Sequence, residues 1–133
     1  MGEIYNVVEA IARFEEAFSF HFHDSALKDF LACHSGEAVR SGHIKASGED
    51  MELSSILSFT AQEGANSAWA VNKWVRRDIG KKRIAIASGT YGDYLCVERE
   101  WQNQHLVIYN CQNGQIRSAS ISIADFCNPE FFP

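Results

Sequence analysis

The stretch Ile84–Val97, IAIASGTYGDYLCV, decides the fold. Ile84 and Ile86 open it, Gly89 and Gly92 interrupt it, and Tyr94-Leu95-Cys96-Val97 resumes an apolar run. The pattern predicts a strand over 83–88, a tight glycine-bearing turn and a second strand over 94–98. Asp93 stands at the junction, where a short carboxylate can hold the N–H groups of the turn. Next along the chain, HLVIYN (105–110) and QIRSASI (115–121) flank Cys111-Gln112-Asn113-Gly114. The Asn-Gly pair there predicts a second hairpin. Ser122 suits the N-cap of a short last helix holding Phe126, ended by Asn128-Pro129.

Toward the N-terminus the period changes. Ile4, Val7, Val8, Ile11, Phe14 and Phe18 recur at spacings of three and four, which predicts an amphipathic helix. Asp24-Ser25 reads as the cap region of a second helix carrying Leu27, Phe30 and Leu31, with Gly36 available as a left-handed C-cap. Residues 36–54 hold three glycines and scattered charge, which predicts loop with one short edge strand at His43–Ala46. Ile56–Phe59 is a further short strand candidate, and 67–78 reads as a helix with Trp69, Val71, Trp74 and Val75. The sum is a single α+β domain over 1–133: N-terminal helices packed on a mostly antiparallel sheet of about five strands, closed by a short helix.

Composition sets limits. The chain has 133 residues, 46% of them hydrophobic, enough for a core without covalent staples. No apolar run reaches the roughly 20 residues that span a bilayer, and the start MGEIYN lacks the positive charge of a secretion signal. A cytoplasmic setting is therefore expected, with Cys33, Cys96, Cys111 and Cys127 as reduced, mostly buried thiols. The net charge is −5, yet residues 73–83 alone carry +5, which leaves −10 for the rest. Such a balance disfavours nucleic acid and favours a basic protein partner. Within the basic segment, Lys73, Arg76 and Arg77 are expected on one solvated helix face and Trp74 turned inward.

Chemistry-bearing patterns are thin. His21 and His23, with Cys33 and His34 nearby, match no zinc spacing, so no metal is expected. SGTYGD lacks the Lys-Ser/Thr of a phosphate loop and precedes a strand. Glu98 and Glu100 share a strand face, but an acid–base pair is defined by separation in space. No catalytic constellation and no cofactor are expected.

In order and spacing the chain resembles the SUKH superfamily, the Smi/Knr-like domains, from Ile4 to Phe126. The first helix (IYNVVEAIARFEEAF), SFHF and HDSALKDFLACHSGE match its N-terminal part. RIAIAS, YGD, YLCVE, HLVIYN-CQNG-QIRSASI and SIADF match its strand, Gly-Asp turn, acid-ended strand, hairpin and terminal helix. His23-Asp24 stands where the family often has proline, Glu37 where a second glycine is usual, and Tyr109 where tryptophan is frequent. The resemblance implies a non-enzymatic protein-binding module. Small bacterial members are immunity proteins that block a cognate toxin, frequently a nuclease; larger relatives are regulatory scaffolds. The partner is then a basic toxin docked on an acidic surface. The acidic segment Glu49, Asp50 and Glu52, with Glu37 beside it, is the expected contact, and Glu98, Glu100 and Trp101 on the sheet come next.

Overall fold

The structure, a computed structural model, describes residues 3–39, 43–46, 49–101 and 103–127, with side chains left out at 3–6, 43–46, 49 and 50. Among the described residues the helices are α1 (Glu3–Phe18), α2 (Ser25–His34), α3 (Ala68–Ile79) and α4 (Ile123–Phe126). The strands are β1 (His43–Ala46), β2 (Glu49–Ile56), β3 (Arg83–Gly89), β4 (Asp93–Glu100), β5 (Asn103–Asn110) and β6 (Ile116–Ser118). They form a six-stranded sheet in the order β1-β2-β3-β4-β5-β6, every neighbouring pair antiparallel. The α+β class and the antiparallel sheet are as the sequence predicts. No helix of the described residues is long and apolar enough to cross a membrane.

One segment differs from its reading. Residues 49–54, expected as loop, form most of β2. Their polarity disguised a period of two: Met51 and Leu53 are buried, while Glu52 is half-buried and Ser54 exposed. The C-terminal strand β6 is in turn shorter than expected, and the last helix's expected stop at Asn128-Pro129 lies outside the described residues.

Local signals account for the other boundaries. Asp24 Oδ1 accepts from the N–H groups of Ala26 and Leu27 at 2.9 and 3.2 Å, and Ser67 Oγ accepts from Ala70 N–H at 3.0 Å. Each side chain satisfies N–H groups that the first helical turn leaves without partners. Gly36 ends α2 with φ 78°, a conformation open to glycine at little cost.

The central strands are covered on both faces. Ile84, Ala85, Ile86 and Ala87 are all fully buried, as are Leu95, Cys96 and Val97. Gln104 of β5 donates to His21 O at 2.7 Å and accepts from His23 N–H at 3.0 Å, so the α1–α2 connection lies over its face. Tyr109, at odd separation and hence on the opposite face, donates to Asp78 of α3 at 3.0 Å. Phe20 and Phe22 of the connection, with Phe14 of α1 and Phe59, bring edge-on rings into one apolar cluster.

β3 has an edge problem, and Asn72 resolves it. β2 pairs with β3 only from Ile56↔Ala87 to Leu53↔Gly89, and Leu57 N–H still reaches Ile86 O. Beyond that point Ala85 has no strand beside it on that side. The buried Asn72 side chain of α3 supplies what a strand would: Oδ1 accepts from Ala85 N–H at 2.8 Å, and Nδ2 donates to Ala85 O at 3.0 Å and to Ala68 O at 2.9 Å. Buried backbone groups left unpaired cost about 1–3 kcal/mol each. Asn72→Leu, close in volume, is expected to lose about 3 kcal/mol in urea unfolding with an unchanged denaturant slope.

Asp93 is buried at the β3–β4 turn, beside Gly89. A Cβ on Gly89 would lie 2.2 Å from Asp93 Oδ1, which explains why glycine stands there. Burial pushes the Asp93 carboxyl above its ordinary range; the backbone N–H groups of Asp93 and Tyr91 and the charge of Arg117 pull it part of the way back. The ionised carboxylate is thus disfavoured in the fold relative to the unfolded chain. Stability relative to Asp93→Asn should be greatest below the carboxylate range and fall as pH rises through it. Asp93→Ala, which strips the turn of its acceptor, should lose about 1 kcal/mol. Parallel urea titrations of the three proteins between acid and neutral pH check both expectations.

Candidate functional site

The seven candidate contact residues do not converge. Glu37 N–H bonds to His34 O, and Glu37 O accepts from Ile56 N–H at 2.9 Å, so Glu37 sits beside the C-terminal end of β2. Its carboxylate pairs with His34 at 2.9 Å. Glu49 lies seven residues back along β2, about 23 Å away at strand rise. The expectation that Glu37 stands beside Glu49, Asp50 and Glu52 is therefore incorrect, because the segment is extended. Within that strand, Asp50 lies opposite Lys45 and Glu52 opposite His43, so the acidic run faces a partly basic neighbour in register. This pair of strands adjoins the Gly89–Asp93 turn, with Thr90 N–H bonded to Glu52 O at 2.9 Å. Glu98, Glu100 and Trp101 are at the other end of the sheet.

At that other end the residues do form a constellation. The β4–β5 register runs unbroken from Asp93↔Asn110 to Glu100↔Asn103 and places Glu98 opposite His105, while β3 places Arg83 on its other side. Glu98 Oε2 accepts from Arg83 Nε at 2.5 Å, and its Oε1 lies 2.8 Å from His105 Nε2. Arg83 also donates to Ile79 O at 2.7 Å, which ties α3 to the same point. The ligand atoms of Glu98, Glu100 and His105 lie within 4.8 Å of one another, a donor set of the type that holds a divalent cation. Both Glu98 oxygens are already engaged, so an ion there must displace Arg83 or His105. A carboxylate so fully paired serves as a cross-strand tie better than as an acid or base.

Trp101 projects from the tip of this hairpin. It is 92% exposed and has φ 57°. A bulky residue in the left-handed region costs about 1–2 kcal/mol, and an exposed ring recovers none of this by packing. Trp74, expected inside, is instead partly exposed and packs edge-on against Tyr94 with ring centroids 5.8 Å apart.

The thiols and histidines are dispersed. Cys33 and Cys111 are exposed rather than buried, and Cys111 Sγ donates to Gly92 O at 2.6 Å. Burial holds Cys96 and Cys127 in the thiol form, with pKa values pushed up to about 12 and about 11. His21 pairs with Glu15 at 3.1 Å and His34 with Glu37, so each serves a local contact. The Arg83–Glu98–His105 ladder escaped the sequence reading, although it had a signal there. Positions paired across the two turns place Arg83, Glu98 and His105 side by side once hairpin registers are drawn.

No family model, curated protein or solved structure matches the chain.

Two substitutions separate the structural ladder from the exposed tip. Glu98→Gln removes a part-buried, charge-assisted pair and should cost about 1–2 kcal/mol in thermal or urea unfolding. Trp101→Gly relieves the left-handed strain while adding freedom to the unfolded chain, and the two terms nearly cancel. Its stability should stay within about 0.5 kcal/mol of wild type.

Proposed function

We propose that the chain is a protein-binding module of the SUKH type, an immunity protein that neutralises a cognate toxin by covering its active cleft. The observation that carries this reading is Trp101, a fully displayed aromatic held in a costly conformation at a hairpin tip. Exposed, well-positioned tryptophan is the residue type most enriched among interface anchors. Strain at a surface position with no packing return points to use by something outside the fold. Glu100, the exposed carboxylate directly before it, gives the anchor an acidic neighbour suited to a basic partner. The two thiols held protonated by burial speak against covalent catalysis at Cys96 or Cys127. The likeness to SUKH domains supplies the partner class, and it rests on the motifs quoted above.

The genetic test is direct. Deleting the gene from its host should be lethal unless a second gene, that of the toxin, is also lost. The product of that second gene should bind the purified chain, and Trp101→Ala should weaken the complex by about tenfold or more, as loss of an anchor does. Reversing Glu49, Asp50 and Glu52 to Lys serves as the competing probe. If that triple variant slows association at low salt while Trp101→Ala has no effect, the interface lies at the opposite end of the sheet. A viable deletion strain would remove the immunity reading.

A further inference from the structure

Arg76, Lys81 and Arg99 meet where the protein-binding reading makes no use of them. With Ala17, Phe18 and Ser19 they line an open cleft of about 390 Å³. The three cations come from three places in the chain: α3, the turn before β3, and β4. The backbone bond from Arg99 N–H to Lys82 O at 2.8 Å brings the last two together. Ser19, with φ 52°, turns the chain off the end of α1 and lines the cleft beside them.

Arg76 was expected on a solvated face, and the structure corrects this. Its guanidinium donates to Phe18 O at 2.7 Å, to Arg83 O at 3.1 Å and to Lys81 O, and it stands 5.5 Å from the centre of the Phe18 ring. These acceptors are neutral carbonyls, so they fix the group without cancelling its charge. One of them, Phe18 O, lies at the negative end of α1, where a cation is favoured. Burial, and then the nearby charge of Arg99, pushes the Arg76 pKa down.

No carboxylate is among the residues that line the cleft. Among the described residues, the side chains of Lys81 and Arg99 make no hydrogen bond or ion pair. Two of the carboxylates nearby are committed elsewhere. Glu15 receives Lys28 at 3.2 Å, His21 at 3.1 Å and Phe22 N–H at 2.9 Å. Glu98 projects from the opposite face of β4 to Arg99 and is held by Arg83 and His105. Glu16 lines the adjoining cleft with Arg99 but forms no ion pair with it.

We propose that this cleft binds a phosphate dianion, free or as the end group of a small phosphate monoester. A planar guanidinium fork and a mobile ammonium together match the donor needs of a tetrahedral oxyanion. Three positive charges around a partly desolvated cleft favour a dianion over a singly charged carboxylate. The volume lies at the lower end of small-molecule sites, which run from about 300 to 1,000 Å³, so a phosphate with a small body fits and a large ligand does not. This site is independent of the Trp101 surface and stands or falls without it.

The test is a titration of the isotope-labelled full chain at low ionic strength, followed by amide NMR. Inorganic phosphate should produce saturable shifts at Ser19, Lys81 and Arg99, and ribose 5-phosphate or adenosine monophosphate should produce the same pattern. If the monoesters bind more tightly than phosphate, the physiological ligand is a monoester; the reverse order identifies free phosphate. Arg99→Gln and Lys81→Met should each weaken binding about tenfold or more. Arg77→Gln, on an exposed residue that does not line the cleft, should leave it unchanged. Arg76 is left intact because its three carbonyl bonds are structural. Equal, non-saturating shifts with phosphate, sulfate and chloride would overturn the proposal as simple screening. Affinity for a single-stranded oligonucleotide that rises with its length and exceeds that of the monoesters would also overturn it, in favour of a nucleic-acid backbone.

Discussion

A single buried amide, that of Asn72, allows α3 to replace a strand. The sheet needs β2 to leave β3 after Ile56↔Ala87, because the chain must turn away to build α3. That departure strands the backbone of Ala85 in a dry place. Asn72 turns one acceptor and one donor toward Ala85, the same complement that a neighbouring strand would present, and donates its other hydrogen to Ala68 O. No apolar residue can do this, and a carboxylate would set its charge against two carbonyl oxygens. With the amide in place, β3 can be buried on both faces and the sheet can carry cover on each side. Without it, a strand buried on both faces would carry an unsatisfied edge.

The basic segment between α3 and β3 divides its charges between structure and surface. Arg83 closes a ladder with Glu98 and His105 and reaches back to the last turn of α3. Arg76 clamps three carbonyls that would otherwise meet at the junction of α1, α3 and β3. Arginine is suited to both tasks, since its fork satisfies several acceptors at once and it stays charged when partly buried. Lys81 and Lys82 keep their charges at the surface. A segment that reads in one dimension as a uniform basic block is thus two structural arginines, Arg76 and Arg83, set among exposed surface cations.

The sheet has two chemically different ends. At one, Asp93 and Gly89 are packed so closely that no side chain larger than hydrogen fits at 89. At the other, the tie at Glu98 is followed within three residues by a tryptophan with nothing packed on it. The rigid ladder just behind the tip is what allows a strained, exposed residue to persist. Long antiparallel pairing fixes the hairpin up to Glu100↔Asn103, and the cost of the turn is borne by interactions already made. Binding residues held on a rigid hairpin lose little freedom when a partner arrives.

The sequence by itself determined the period of each element and most of its ends. Helical spacing in α1, caps at Asp24 and Ser122, and the glycine and Asn-Gly turns are local events, and local chemistry specifies them. It also determined the α+β class, because helices followed by hairpins can bury their apolar faces in few ways. β2 was misread because its Met51 and Leu53 alternate with acids, a pattern that resembles loop until a partner strand is supplied. Only the tertiary structure decided which charges meet. Glu37 and Glu49 are close in sequence and distant in space, since an extended strand adds about 3.3 Å with every residue. Arg76 and Arg99 are distant in sequence and share one cleft, since hairpins and helix packing bring remote positions together. Pairing of charges depends on distance through space, which one-dimensional spacing encodes only within a single element, and so the fold was legible and the site was not.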